Sequence, residues 1–268
     1  MDKLLSENIQ AITWLIYNVN RQYKPEIKPK MKFGKPQTVK NLFTKLRHLL
    51  IPSITLKEIQ SSIGNELQKT ELPACMFGSV KGSNNIINTL QHIDNCFFLT
   101  IDLKDFFSRI NNKQVYKVFI DCGHTPTEAR IFTRLTTYKG SLPQGAPSSP
   151  MLGNLAFLKT AIQLESLALA HDITFTTFLD DLTFSSKKDF KHLIPKFLEI
   201  IKSNHFFPNH RKIKYQKNYC EITGLIIRYG KMEIMPKMLK EAKSNIRIRR
   251  YVENVNWEYT MRMRNANT

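Results

Sequence analysis

Two segments restrict the fold of this chain more than any others: CFFLTID at 96–102 and ITFTTFLDDLTFSS at 173–186. The first is a continuous apolar run of strand length ending in a carboxylate, which predicts a buried strand with Asp102 at its exposed end. In the second, two β-rich runs flank Asp180 and Asp181, the pattern of a hairpin with the carboxylates at its tip. Neighbouring strands of one sheet would gather these carboxylates although Asp102 and Asp180 lie 78 positions apart. Like charges that close need a cation, and carboxylate oxygens favour Mg²⁺, a pair of which can clamp the attacking and leaving oxygens of a phosphoryl transfer. Because side chains alternate along a strand, Asp180 is expected to be the closer ligand of the two. Taken singly, a DD pair reads as a solvated turn and Asp102 as a helix cap; only the combination points to chemistry.

Helical and extended patterns alternate around these segments. Apolar residues at helical spacing predict a helix over 3–23, stopped by the basic, proline-containing stretch YKPEIKPKMKFGKP, itself a loop or irregular hairpin. Further helices are expected over 55–71, with Ser53 or Thr55 as cap, and over 84–94, 111–121, 126–138, from Pro150 onward, 188–204 and 236–253, with a strand pair around Tyr229-Gly230. The mixture is α+β.

Charge indicates the partner. Across 268 residues, 40 Lys and Arg face 22 Asp and Glu, a net +18. The surplus is concentrated in three segments, with ten basic residues and one acidic in 21–57, five and none in 202–217, and nine and four in 231–268. Segment 102–200 is nearly neutral, with twelve basic residues and ten acidic. One such cluster would read as a solvated face; three around a neutral middle suit a polyanion, whose counterions are released on binding. No run of about 18 apolar residues and no basic-then-apolar leader is present, so the expectation is a cytoplasmic protein without a membrane partner. Cys75, Cys96, Cys122 and Cys220 are scattered without a CxxC pair and read as reduced thiols.

IDLKDFF (101–107), SLPQGAPSSP (141–150) and FLDDLTFSS (178–186), in that order, resemble motifs A, B and C of a reverse transcriptase palm. Within that class, Asn88-Thr89-Leu90-Gln91-His92 is similar to the NAxxH element of bacterial retron enzymes and Ile222-Thr223-Gly224 to their VTG element. The likeness runs from about residue 21 to about residue 240. It implies a right-hand polymerase with an RRM-like antiparallel palm sheet: N-terminal helix and fingers over 1–95, palm over 96–230 with a fingers insertion at about 111–145, and a short basic thumb over 231–268.

By the same resemblance Asp102, Asp180 and Asp181 would be the catalytic aspartates holding two Mg²⁺, with Leu103 beside them in the metal set. Lys212 would protonate the leaving pyrophosphate. Lys45, Arg47, Phe107, Gln144 and Gly145 would bind the incoming dNTP, Phe107 as the gate that excludes a 2′-hydroxyl. Asn88, His92, Thr223, Gly224, Arg247 and Arg250 would contact RNA or primer; a lone helical His is otherwise an ordinary surface or core residue. The implied function is RNA-directed DNA synthesis on a structured noncoding RNA that is both template and primer, giving a short RNA-linked DNA for antiphage defence, with an effector protein as a further partner. The rivals are another bacterial reverse transcriptase, intron-like or defence-associated, and a non-catalytic RNA-binding scaffold. Three departures stand out: FLDD where YADD is usual, Thr89 where NAxxH has alanine, and only 41 residues after Ile227.

Overall fold

A computed structural model describes residues 9–29 and 46–265, with two-residue strand pieces at 31–32, 35–36, 38–39 and 43–44, and side chains for 13–29 and 46–264. Lys45 lies outside the described residues. The helices are α1 (Ile9–Asn18), α2 (Ile54–Leu67), α3 (Asn85–Leu90), α4 (Phe106–Arg109), α5 (Asn112–Asp121), α6 (Pro126–Thr136), α7 (Ser149–Leu169), α8 (Ile194–Ser203), α9 (Pro236–Ala242) and α10 (Ile246–Asn265). The longer strands are β1 (Tyr23–Pro29), β2 (Leu46–Pro52), β3 (Phe97–Asp102), β4 (Thr174–Phe178), β5 (Asp181–Ser186), β6 (Lys214–Lys217), β7 (Tyr219–Ile222), β8 (Leu225–Arg228) and β9 (Lys231–Ile234). The chain divides into two units: Met1–Lys30, Val39–Leu72 and Asp105–Leu158 in one, Met31–Thr38, Pro73–Lys104 and Lys159–Thr268 in the other.

In the first unit, α1 tightens into a 3₁₀ turn over Val19–Gln22. The backbone then extends at Tyr23, because Lys24 precedes Pro25 and pre-proline residues avoid the helical region. β1 and β2 form an antiparallel ribbon, Tyr23 opposite Pro52 and Pro29 opposite Leu46. α2 begins where Ser53 accepts the Leu56 amide at 3.4 Å, and it buries Leu56, Ile63 and Leu67 at helical spacing, each burial stabilising by about 2 kcal/mol. Between them, buried Gln60 donates to the Tyr23 hydroxyl at 2.6 Å and to the Leu135 carbonyl at 2.8 Å. Burial pushes the Tyr23 phenol up to about 12. Reciprocal capping boxes, Asn111 with Gln114 and Thr125 with Glu128, start α5 and α6.

The second unit is built on a four-stranded antiparallel sheet in the order β6-β3-β5-β4. Its register sets Asp102 opposite Asp181, Thr100 opposite Thr183 and Leu99 opposite Phe184. Alternation therefore gives it two unlike faces. One carries Leu99, Ile101, Leu182, Phe175 and Phe184, and Phe184 packs on Phe197 of α8 with ring centroids 4.2 Å apart. The other carries Asp102 and Asp181 at one end, then Thr183, Thr176 and Ser185. At its far end Phe98 packs with Cys220, Ile222 and Ile227 of the small sheet β7-β8-β9. The expected single helix over 236–253 is instead two, and the second runs on to Asn265. Asn245 makes the break, its side-chain oxygen accepting the Arg247 amide at 3.0 Å and the Ile248 amide at 3.4 Å as a new N-cap.

Candidate active site

The carboxylate geometry follows from the pairing of β3 with β5. Residues directly opposite in an antiparallel pair point to the same face with Cβ atoms about 5 Å apart, so Asp102 and Asp181 form the cross-strand pair. Asp180 sits in the two-residue turn Leu179-Asp180, and its carbonyl accepts the Leu103 amide at 2.8 Å. The turn itself is held on three sides. Besides that bond, Thr177 donates from Oγ1 to the Leu179 carbonyl at 3.0 Å. On the outer edge of β4 a strand-like segment runs parallel to it, with Met76 bridging Thr177, the Phe77 amide donating to Thr177 O at 2.8 Å and the Thr177 amide to Cys75 O at 2.8 Å. Leu179 has φ +59°, a conformation that costs a leucine about 1–3 kcal/mol and persists only where neighbours impose it.

Gly78 is part of that imposition, and the sequence reading missed it. A Cβ there would lie 2.6 Å from the Leu179 nitrogen and 2.8 Å from the Phe178 carbonyl carbon, so only glycine lets the segment pass this close to the tip. The FGS sequence at 77–79 was the available signal, but nothing local tells a close approach from a turn glycine.

Asp102 is held from the side opposite β5. Its main-chain oxygen accepts the Asn209 amide at 2.7 Å, and its Oδ1 accepts Asn209 Nδ2 at 3.2 Å and Lys212 Nζ at 2.6 Å. The Lys212 side chain is half exposed and that of Asp102 only 15% exposed, so a carboxylate at the sheet end is neutralised by an amine on a short 3₁₀ turn, His210–Lys212. Lys212 thus lies beside the Asp102 carboxylate. Among the described residues no three His, Cys, Asp or Glu side chains are gathered into a ready-made metal site. The donor set, oxygens only, nonetheless fits a hard divalent cation. Leu103 is buried and apolar and has only its main-chain oxygen to offer.

In the first unit, Phe107 is half buried on α4 and meets Phe106 edge to face at 5.3 Å. Both rings lie over Gly153 of α7, where a Cβ would come within 2.9 Å of Phe106 and 3.3 Å of Phe107. Gln144 and Gly145 are exposed on the 141–148 loop. The Gln144 carbonyl accepts the Leu50 amide at 2.8 Å, and Gly145 has φ +118° with its Cβ position 3.1 Å from Leu50 O, so this loop is fastened to β2. Arg47 is exposed on β2.

The RNA-contact expectations divide. Arg247 and Arg250 are exposed on α10. His92 and Asn88 are not available to RNA: they are 0% and 1% exposed. His92 spends both ring nitrogens inside the unit, Nδ1 with Ser185 Oγ at 2.6 Å and Nε2 with Thr176 Oγ1 at 2.7 Å, and burial drives its pKa down to about 3. Thr223 and Gly224 form the two-residue turn between β7 and β8, with φ +45° and +93°, the signs of a type I′ hairpin.

Comparison with known proteins gives one family. Residues 29–227 match the model of the reverse transcriptase (RNA-dependent DNA polymerase) family. The retron Ec86 reverse transcriptase of Escherichia coli is 29% identical over 251 residues, covering 92% of this chain and 76% of that protein. The retron Se72 reverse transcriptase of Salmonella heidelberg (strain 579083-10) is 26% identical over 266 residues, covering 94% and 66%. Among solved structures, telomerase from Candida albicans in complex with a TWJ fragment of telomeric RNA aligns with TM-score 0.56 at 10% identity, and apo telomerase from Candida tropicalis with 0.51 at 12%. They cover 84% and 85% of this chain, which spans about half of each telomerase chain (49% and 52%). At such identities these two likenesses bear on the fold alone, and they agree with the α+β polymerase fold expected from the motifs.

Proposed function

Because the chain belongs to the reverse transcriptase family, we propose that it is a retron-type RNA-directed DNA polymerase that copies a bound, structured noncoding RNA into short single-stranded DNA. The observation that carries this reading is the register of β3 against β5, which sets Asp102 and Asp181 side by side with Lys212 on Asp102. A primer hydroxyl, its proton passing to water, attacks the α-phosphate of a dNTP; the new P–O bond forms as the bond to pyrophosphate breaks. Two Mg²⁺ ions, held by Asp102, Asp180, Asp181 and the Leu103 main-chain oxygen, would supply Lewis-acid stabilisation of the developing charge. Lys212 delivers a proton to the departing pyrophosphate. Phe107 excludes a 2′-hydroxyl, Gln144 and Gly145 line the nucleotide pocket, and Lys45 and Arg47 meet the triphosphate. Arg247 and Arg250 grip the nucleic acid backbone.

The RNA serves as template and primer, and synthesis starts from the 2′-hydroxyl of an internal guanosine, leaving a branched RNA–DNA product for antiphage defence with an effector protein. No helix among the described residues is long and apolar enough to cross a membrane. The test is to purify the protein from its native host and sequence the copurifying nucleic acid after separate RNase and DNase treatment. A short RNA covalently joined to DNA is expected; unlinked or unrelated RNA would overturn the retron reading.

A further inference from the structure

The segment 85–92, which ends in the Asn88–His92 element, and the turn at 223–224 touch each other. Asn85 Nδ2 donates to the Thr223 carbonyl at 3.1 Å and to the Tyr251 hydroxyl of α10 at 2.7 Å. Thr89 donates from Oγ1 to the Ile222 carbonyl at 3.3 Å, Asn88 Nδ2 to Thr223 Oγ1 at 3.5 Å, and Thr223 Oγ1 to the Asn85 carbonyl at 3.4 Å. Thr223 is β-branched at φ +45°, an outlier that such a residue keeps only when its surroundings over-determine it; α3 supplies that determination.

The other end of the same short segment grips the catalytic hairpin. His92 binds Thr176 of β4 and Ser185 of β5, and Asn95 Nδ2 donates to Thr174 Oγ1 at 3.1 Å and Ser185 Oγ at 2.8 Å. Ser185 points to the same sheet face as Asp181 and lies four residues along the strand, roughly 13 Å away. Apolar contacts run the same way: Ile86, Leu90 and Ile93 pack with Leu225, Met232 and Val255. Eleven residues, 85–95, thus join the face that carries the carboxylates to the β7-β8 turn and to the basic helix α10, all within one unit.

We propose that α3 with its following turn is a strut coupling α10 and the β7-β8 turn to the catalytic hairpin, and that Asn85, Asn88 and His92 are positioning residues for nucleotide addition rather than readers of RNA. The inference rests on the catalytic reading of Asp102 and Asp181. It replaces the expectation that Asn88 and His92 contact RNA with a role their burial permits. Its physical content is rigidity: Asn85 and Thr89 hold the turn end while His92 and Asn95 hold the hairpin end, so loosening one end moves the hairpin relative to the primer held by α10.

The test uses the full chain carrying Tyr251→Phe, which removes one hydroxyl at the α10 end, Asn85→Ala, and His92→Gln at the hairpin end. For each, three quantities are measured: the dissociation constant for the copurifying RNA, the thermal midpoint, and the single-turnover incorporation rate at saturating dNTP on that RNA and on an unrelated primed RNA. Expected is a fall of about 10-fold in rate, equal on both templates, with RNA affinity within about 2-fold. Tyr251→Phe keeps the test alive if His92→Gln fails to fold. Loss of affinity confined to the copurifying RNA, with an unchanged rate on the unrelated template, overturns the proposal in favour of RNA reading. Wild-type rates in folded Tyr251→Phe and Asn85→Ala overturn it too. An inactive wild-type protein would instead sink the catalytic reading.

Discussion

Replacing Gly78 by alanine tests how tightly the carboxylates are placed. The added Cβ would sit 2.6 Å from the Leu179 nitrogen and 2.8 Å from the Phe178 carbonyl carbon, against an ordinary heavy-atom contact of about 3.5 Å, so roughly 1 Å of movement is required. The segment at 75–77 cannot easily retreat, since its two backbone bonds to Thr177 are both 2.8 Å long. The turn Leu179-Asp180 must give way, and it carries Asp180 and the start of β5. Overpacking of this kind costs about 1–3 kcal/mol in stability, and a misplacement of about 1 Å at reacting groups costs about 10²-fold in rate. The expected result is therefore a kcat for single-nucleotide extension of a primed RNA reduced about 100-fold, with the protein still folded. A thermal midpoint lowered by about 2–12 °C accompanies it. Gly82→Ala is the control: φ there is +77° but nothing lies within 4 Å of its Cβ position, so it carries backbone strain alone and keeps its kcat. A Gly78→Ala enzyme that melts lower yet turns over at the wild-type rate would refute the claim that this contact sets the turn.

Two other outcomes follow, one from the proposed function and one from the structure. Phe107→Ala should raise rNTP relative to dNTP incorporation by at least about 10-fold, read from kcat/KM for matched nucleotides; unaltered sugar discrimination would remove the ring from the gate role. Stability should depend on acid through His92. Its folded pKa lies near 3 against about 6.5 unfolded, so between those values the unfolded chain binds a proton that the folded one does not. The stability is fully present above about pH 6.5 and is lost as pH falls through the window, by up to about 1.4 kcal/mol per pH unit from this group. Denaturant unfolding at pH 7 and pH 5 should show the loss, and a folded His92→Gln variant a smaller one; identical pH dependence in the two would contradict the buried, neutral histidine.

The strands carrying Asp102 and the DD pair were readable because a buried strand ending in a carboxylate and a hairpin both leave short-range patterns. Their neighbours were not. β6 is a polar, basic edge strand, KYQK, without the apolar signature that marks β3. α4 is a single turn begun by Asp105 at φ +53°, too short for periodicity to reveal. That Asp181 faces Asp102 depends on the turn closing over Leu179-Asp180, a position that alternation along the strand does not give. His92 shows the limit of a motif: its pattern suggested an interface, whereas its two partners lie 84 and 93 residues away and only the folded sheet brings them to it. Gly78 is the same lesson in backbone form.

The central claim, that these aspartates perform DNA synthesis on RNA, is tested most directly by primer extension with dNTPs and Mg²⁺ on an RNA template. Wild-type protein is compared with Asp180→Ala/Asp181→Ala, and RNA retention is measured on the same preparations. The account predicts extension by the wild type and none by the double variant at equal RNA binding. Undiminished extension by the double variant, or no extension by a wild-type protein that binds the RNA, would contradict it.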